Sequence, residues 1–386
     1  MMLSYAIIGA KIFDGEVEHI HSALLIEKGE ISSIVAQDQV PEGCEIITVD
    51  GGVLVPGFID LQVNGGGGIL FNDRRDVDGL KIICEAHIKF GTTALLPTLI
   101  TDKPDITTQA IKAGISAVSD QVPGMLGIHL EGPHLSVPKR GAHKETLVRE
   151  MTTDDLDELI EAKKSLPVML TTVATESVSN DQINELNKAG IIVSLGHSNA
   201  SYDETTSAAA AGATCVTHLF NGMSGFNHRD PGLAGAALNT GGLYAGLIAD
   251  YIHVDPAAIS IALKAKEGPG KIFLVTDAMS TIGTNMTSFT LNGRVINRSN
   301  GRLTLENGSL AGADIDMIST VKNMIKIVGF EEAIRMASLY PAEVIGRDDK
   351  MGHLKAGALA NIVHLSEDHD VEHVWINGTQ QWKKTS

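Results

Sequence analysis

Ile191-Ile192-Val193-Ser194-Leu195-Gly196-His197-Ser198-Asn199 and Thr214-Cys215-Val216-Thr217-His218-Leu219-Phe220-Asn221 are two short apolar runs, each reaching a histidine. Between them Tyr202-Asp203-Glu204 opens an Ala-rich segment that ends at Ala213. The stretch from Ile191 to Met223 therefore reads as strand, helix, strand, with a histidine at the C-terminal tip of each strand. Parallel α/β barrels carry their chemistry at that edge. One histidine at a strand end is usually a packing residue. Two at equivalent positions of successive units point to a metal pair.

Outward from this stretch the same unit repeats. Apolar strand-like runs cover Val53 to Val63, Thr92 to Ile100, Met125 to Leu130, Val168 to Thr175, Ile191 to His197, Cys215 to Phe220, Leu243 to Ala249 and Ile272 to Thr276. Helical patterns separate most of them, as at Leu80 to Phe90, Asp105 to Val118, Thr153 to Lys164 and Asn180 to Ala189. Eight such units suit an α/β fold of the (β/α)8 TIM-barrel type. An open doubly wound sheet is the alternative, but no Gly-x-Gly-x-x-Gly follows an early strand. The glycines from Gly65 to Gly68 lack the lysine of a phosphate-binding P-loop.

Both ends of the chain read differently. Ala6 to Ile8, Lys11 to Phe13, Ala23 to Ile26 and Ile31 to Val35 are short strands with turns at Asp14-Gly15 and Lys28-Gly29-Glu30. Ala360 to Leu365 and Val371 to Ile376 look alike, with a turn at Asn377-Gly378. The expectation is one small discontinuous β-sandwich from 1–54 and 355–386, with the barrel over 55–354. Phe289 to Val295 and Leu303 to Glu306 read as hairpin strands. Asp314 to Val328 and Glu331 to Leu339 read as closing helices, the second stopped by Pro341.

Composition narrows the function classes. Of 386 residues 43% are hydrophobic and 20% charged, as in globular proteins. No apolar run approaches the roughly 20 residues of a membrane span. A net charge of −17 argues against nucleic-acid or anionic-membrane partners. It leaves room for a small anion in a locally basic pocket. Cys44, Cys84 and Cys215 have no metal-type spacing, and no secretory signal is legible, so a reducing cytoplasm is expected.

The polar residues gather at strand ends. These are Asp60-Leu61-Gln62-Val63-Asn64, His129-Leu130-Glu131-Gly132-Pro133-His134, His197, His218, Asp250-Tyr251-Ile252-His253 and Thr276-Asp277. In a barrel all would face one mouth. Glu131, His197 and His218 make a metal triad with an open position for water. Asp277 is the candidate for proton transfer. His143, in a loop after Pro138-Lys139-Arg140-Gly141-Ala142, is a candidate to polarise a carbonyl oxygen. Arg229 and His253 are candidates to hold an anionic group. His129 shares a strand face with Glu131 and reads as support behind the ligands; His134 has no assigned role.

Taken together these residues resemble the amidohydrolase superfamily, and within it the N-acetylglucosamine-6-phosphate deacetylase family. The resemblance is carried by Pro56 to Gly65, His129 to Pro133, Gly196 to Ala200, Thr217 to Met223, Arg229 to Gly235 and Val275 to Ala278. It implies metal-dependent hydrolysis of the N-acetyl group of N-acetylglucosamine 6-phosphate, giving glucosamine 6-phosphate and acetate, in amino-sugar catabolism or cell-wall recycling. It implies ligand roles for Glu131, His197 and His218, an acid–base role for Asp277 and carbonyl polarisation by His143. It also implies substrate contacts at Ala142, Asn221, Gly222, Arg229, His253 and Leu310-Ala311-Gly312. The partner is then a phosphorylated amino sugar, and the protein a homodimer in which Arg229 reaches the neighbouring subunit's phosphate.

Many superfamily members carry His-x-His on the first strand, where this chain has Gln62-Val63-Asn64. Amides are poorer zinc ligands than imidazole. One divalent metal per subunit is therefore expected, with zinc first and iron, cobalt or nickel as alternatives. Gln62 is expected to approach it through water and Asn64 to stand nearby. The competing readings are another amidohydrolase chemistry, such as a D-aminoacylase, dihydroorotase-like enzyme or deaminase, and a non-enzymatic sugar-binding scaffold.

Overall fold

Runs of β-branched and aliphatic residues alternate with capped helices from Phe58 onward, and this alternation builds the central layer. In the computed structural model, which describes residues 4–385, eight parallel strands form one sheet. They are β1 (Phe58–Val63), β2 (Thr92–Ile100), β3 (Gly127–Glu131), β4 (Val168–Val173), β5 (Ile192–Leu195), β6 (Cys215–Val216), β7 (Tyr244–Leu247) and β8 (Ile272–Leu274). Each pairs with its sequence neighbour. Just beyond β8, Ala278 bridges Val63 in parallel, and the Asp277 amide donates to the Gln62 carbonyl at 3.0 Å. That contact brings the two edges of the (β/α)8 barrel together.

A helix follows every strand and covers the outside. Three successive ones start on the same device: Thr152, Ser179 and Ser201 cap helices Thr153–Lys163, Asn180–Lys188 and Tyr202–Ala211. Asp155, Gln182 and Glu204 return the bond. Ile183 and Leu186 show the inward face of such a helix, both fully buried beneath a polar outer face.

The terminal strands form the accessory layer. One four-stranded sheet contains Ser4–Ile8, Ser22–Glu27, Glu30–Ala36 and Glu45–Thr48. A six-stranded sheet joins Lys11–Phe13, Glu18–His19 and Val53–Pro56 to Ile362–Leu365, Val371–Ile376 and Thr379–Lys383. Ile7, Leu24 and Ile26 from the first sheet and Leu54, Ile362 and Trp375 from the second share one apolar cluster. The two ends of the chain therefore meet in one accessory domain, as expected.

Three expectations need correction. Val53 to Val63 is not one strand: it breaks at Gly57, so that Val53–Pro56 joins the accessory sheet and Phe58–Val63 joins the barrel. A Cβ at Gly57 would lie 2.2 Å from Thr93 Oγ1, so only glycine permits this passage between sheets. Phe289 to Val295 also breaks, at Asn292-Gly293, where both residues have positive φ; the result is a three-stranded sheet of Ser288–Leu291, Arg294–Ser299 and Arg302–Thr304. Pro341 does not stop a helix. It sits in the first turn of a further helix, Leu339–Val344, where a missing N–H costs no intrahelical bond.

The three-stranded sheet matters for function because it lies beside the barrel mouth. Phe289, Leu291, Ile296 and Leu303 pack with Leu70, Ile100 and Met279 in a separate small core.

Candidate active site

The strands around the opening stretch stop earlier than their apolar runs. β5 ends at Leu195 and β6 at Val216. His197 and His218 then take positive φ, 47° and 27°, and Asp277 beyond β8 does the same at 51°. Left-handed backbone is uncommon for non-glycine residues and persists where the surroundings enforce it. Here it accompanies side chains that face one cavity at the mouth.

That cavity, of about 210 Å³, is lined by Glu131, His143, His197, His218, His253 and Asp277 together with Asn64, Asn221 and the backbone of Gly222. Ala142 and Leu310-Ala311-Gly312 line it as well. A Cβ on Gly222 would sit 2.8 Å from His197 Nδ1, so this glycine lets the chain pass close behind the imidazole.

The donors converge tightly. His218 Nε2 is 3.1 Å from Glu131 Oε1 and 3.1 Å from His197 Nε2, and His197 Nε2 is 3.3 Å from Glu131 Oε1. Ligands about 2.1 Å from a tetrahedral ion stand roughly 3.4 Å apart, close to these spacings. With both Nε2 atoms unprotonated, two lone pairs face each other and the same carboxylate oxygen, a repulsion that a cation relieves. His197 Nδ1 meets the Lys139 carbonyl at 2.9 Å; as a donor there it leaves the Nε2 lone pair free, the usual support behind a metal-bound histidine. His143 extends the cluster: Glu131, His143 and His197 all offer atoms within 4.8 Å of one another. His143 Nε2, however, is 3.7 Å from Glu131 Oε2, farther than the other two imidazoles are from this carboxylate. The buried glutamate–histidine cluster suits a single divalent metal.

Gln62 Nε2 donates directly to Glu131 Oε1 at 2.8 Å and to Asp277 Oδ1 at 3.1 Å. Asn64 Nδ2 donates to the same Asp277 oxygen at 2.6 Å. Oδ1 of Asp277 is thus held by two amides, leaving Oδ2 outside this pair of bonds. Burial, and then the charge of Glu131, push the Asp277 carboxyl up to about 6, while Asn64 opposes the rise. Burial outweighs the pull of Glu131 on His143 and drives that imidazole down to about 3, so it is neutral at ordinary pH.

Other expected residues lie farther out. His129 stays below the cavity, with Nε2 2.8 Å from Thr172 Oγ1 and Nδ1 3.0 Å from the Leu61 carbonyl. His253 does line the cavity, fixed by Asp250 Oδ2 at 2.6 Å from Nδ1. Asp60, expected at the mouth, is wholly buried in the barrel and bonded to Thr276. His134 turns away toward Arg149, whose carbonyl is 3.2 Å from its Nδ1. Arg229 does not reach the cavity within one chain: it lines a separate groove with Tyr202, Phe226 and Asn239.

Thr101 and Arg294 had no signal in the sequence reading. Thr101 follows β2, whose last residue, Ile100, lines the cavity, and its Oγ1 is 2.8 Å from His143 Nδ1. Arg294 donates to the Ala142 carbonyl from the three-stranded sheet. A hydroxyl at a strand end was the only available hint for the first; nothing local marked the second.

Residues 53–380 match the amidohydrolase family. The chain belongs to that family. An N-acetylgalactosamine-6-phosphate deacetylase of Shewanella sp. (strain ANA-3) is 44% identical over 330 residues, covering 85% of this chain and 82% of the relative. The N-acetylglucosamine-6-phosphate deacetylase of Haemophilus influenzae is 36% identical over 388 residues, covering 99% and 100%. The crystal structure of N-acetylglucosamine-6-phosphate deacetylase from Pasteurella multocida superposes with a TM-score of 0.94 at 36% identity, covering 98% of this chain and 100% of that one. This amidohydrolase is thus a hydrolase closely related to the amino-sugar-phosphate deacetylases. No helix among its described residues is long and apolar enough to cross a membrane.

Proposed function

We propose that the chain hydrolyses the N-acetyl group of N-acetylglucosamine 6-phosphate, releasing acetate and glucosamine 6-phosphate. The carrying observation is the convergence of Glu131 with His197 and His218 at 3.1–3.3 Å, beside a carboxylate, Asp277, held by two amides. Glu131, His197 and His218 would hold one divalent ion, zinc by the chemistry of the set, with iron, cobalt or nickel as alternatives. When bound, such an ion supplies Lewis acidity toward the acyl carbonyl and toward water. Asp277 takes the proton of the attacking water at Oδ2 and delivers it to the leaving nitrogen, a general base that becomes a general acid. His143, neutral, donates from Nε2 to the acyl oxygen as negative charge grows there. Gln62 and Asn64 keep Asp277 aimed.

His253 and the backbone at Asn221-Gly222, which line the same cavity, receive the phosphorylated sugar. Arg229 belongs, on this reading, to a homodimer in which it reaches the neighbouring subunit's phosphate. Its exposed loop carries Phe226, 66% exposed, which suits a covered face. A phosphorylated amino sugar and its deacetylation fit a cytoplasmic enzyme of amino-sugar catabolism or cell-wall recycling.

The 44% identity to the Shewanella protein favours a second substrate, the galactosamine epimer. The test measures acetate release by protein of determined metal content from both 6-phosphates and from unphosphorylated N-acetylglucosamine. Faster turnover of the glucosamine epimer supports the first reading. Preference for the galactosamine epimer selects the second, and equal rates without phosphate would sink both.

A further inference from the structure

His143 can polarise an acyl oxygen only if its cavity-facing nitrogen, Nε2, carries the proton. A neutral imidazole has one N–H, and the partner of the other nitrogen decides where it sits. Here that partner is Thr101. Its Oγ1 lies 2.8 Å from His143 Nδ1, within the range of a good hydrogen bond, and 3.2 Å from the Glu131 carbonyl, long for O–H···O. The hydroxyl has one proton to give. If it went to the carbonyl, Nδ1 would have to be the donor and Nε2 would present a lone pair to the cavity. The field at Nε2 opposes that: Glu131 Oε2 is 3.7 Å away, and a carboxylate oxygen attracts an N–H and repels a lone pair.

We infer that Thr101 is a positioning residue that donates its hydroxyl proton to His143 Nδ1 and so fixes the imidazole as the Nε2–H donor aimed at the acyl oxygen. The surroundings hold it to this task. Thr101 is 1% exposed. Gly132, next to Glu131, has φ +83°, and a Cβ there would fall 2.2 Å from Thr101 Oγ1. The backbone at Gly132 therefore leaves just the room this hydroxyl needs. Thr101 touches no substrate; it acts through His143, and the inference rests on the role proposed for that histidine.

The experiment compares Thr101→Val, Thr101→Ser and His143→Ala, and the double variant of Val and Ala, in kcat, KM, metal content and melting temperature. Valine keeps the shape and loses the hydroxyl; serine keeps the hydroxyl. Expected is a roughly tenfold or larger fall in kcat for Thr101→Val, with KM and metal content near wild type. Thr101→Ser should recover to within about threefold. In the His143→Ala background Thr101→Val should cost nothing further. Should the valine variant fail to fold, Thr101→Ala replaces it on the same criteria. Equal losses from Thr101→Val in both backgrounds, no loss, or failure of serine to rescue would overturn the inference. A His143→Ala enzyme of full activity would instead sink the role proposed for His143. Metal loss in His143→Ala would make that residue a ligand and overturn both.

Discussion

At the residue scale the site depends on shared hydrogen bonds more than on single charges. Gln62 is the clearest case, because one amide serves both Glu131 and Asp277. Replacing it by leucine leaves two buried carboxylates without their common donor. Support behind metal ligands is typically worth 10- to 100-fold in affinity or activity, so Gln62→Leu should weaken metal binding by about that factor, read by chelator competition. Unchanged affinity would mean the amide only fills space. Asp277→Asn should lower kcat roughly 10²- to 10⁴-fold while metal content stays near wild type. Full activity in that variant would remove Asp277 from the proton path. The residue types at these positions were legible in the sequence; the bond from Gln62 to Asp277 was not, since it spans 215 positions and exists only where the barrel edges meet.

At the element scale the three-stranded sheet beside the mouth is anchored by Arg298. Its Nε is 2.6 Å from Asp314 Oδ2, and its Nη1 reaches the Thr284 carbonyl at 2.8 Å. The Asp314 side chain is only 5% exposed. Arg298→Met leaves that carboxylate buried and unpaired, which costs roughly 3–5 kcal/mol for a buried pair and less here because Arg298 is 29% exposed. The expected outcome is faster amide exchange across Ser288–Thr304 at little cost to the barrel; uniform destabilisation would show that the sheet is not a separate unit. The sequence marked a hairpin here but misplaced its turn: Asn292-Gly293, a strong two-residue hairpin signal, lies between Ser288–Leu291 and Arg294–Ser299 and not inside one strand. Pro56-Gly57 likewise marks the break at Gly57. What no local signal carries is that the two halves of that run belong to different sheets.

At the scale of the whole molecule, metal and pH should both show in stability. A cation bound only by the folded state adds about 2.7 kcal/mol at 100-fold excess over its dissociation constant. Chelation should lower the melting temperature, and the divalent ion should restore it; an unaltered melting curve would contradict a metal centre. His87, fully buried against the Gly65 carbonyl at 2.9 Å, is pushed down by burial to about 4 from an ordinary 6.5. Above 6.5 the imidazole is neutral folded and unfolded, and pH has no leverage through it. As pH falls from 6.5 to 4 only the unfolded chain takes the proton, so stability is lost, by about 3 kcal/mol in order of magnitude. Urea unfolding at a series of pH values should show this slope, flatter in His87→Asn. An identical slope in the variant would assign the effect elsewhere.

The sequence by itself determined the alternation of strand and helix, the short strands near both termini, and the chemical kinds of residue waiting at the strand ends. Those are local properties: periodicity, capping and turn residues act over a few positions. The tertiary structure alone decided where each side chain points. It turned Asp60 and His134 away from the cavity, left Arg229 outside it within one chain, and brought Thr101 to His143. The physical reason lies in ring closure and in the left-handed turns at His197, His218 and Asp277. They orient side chains by packing between strands far apart in the chain, and no window of sequence contains both sides of that contact.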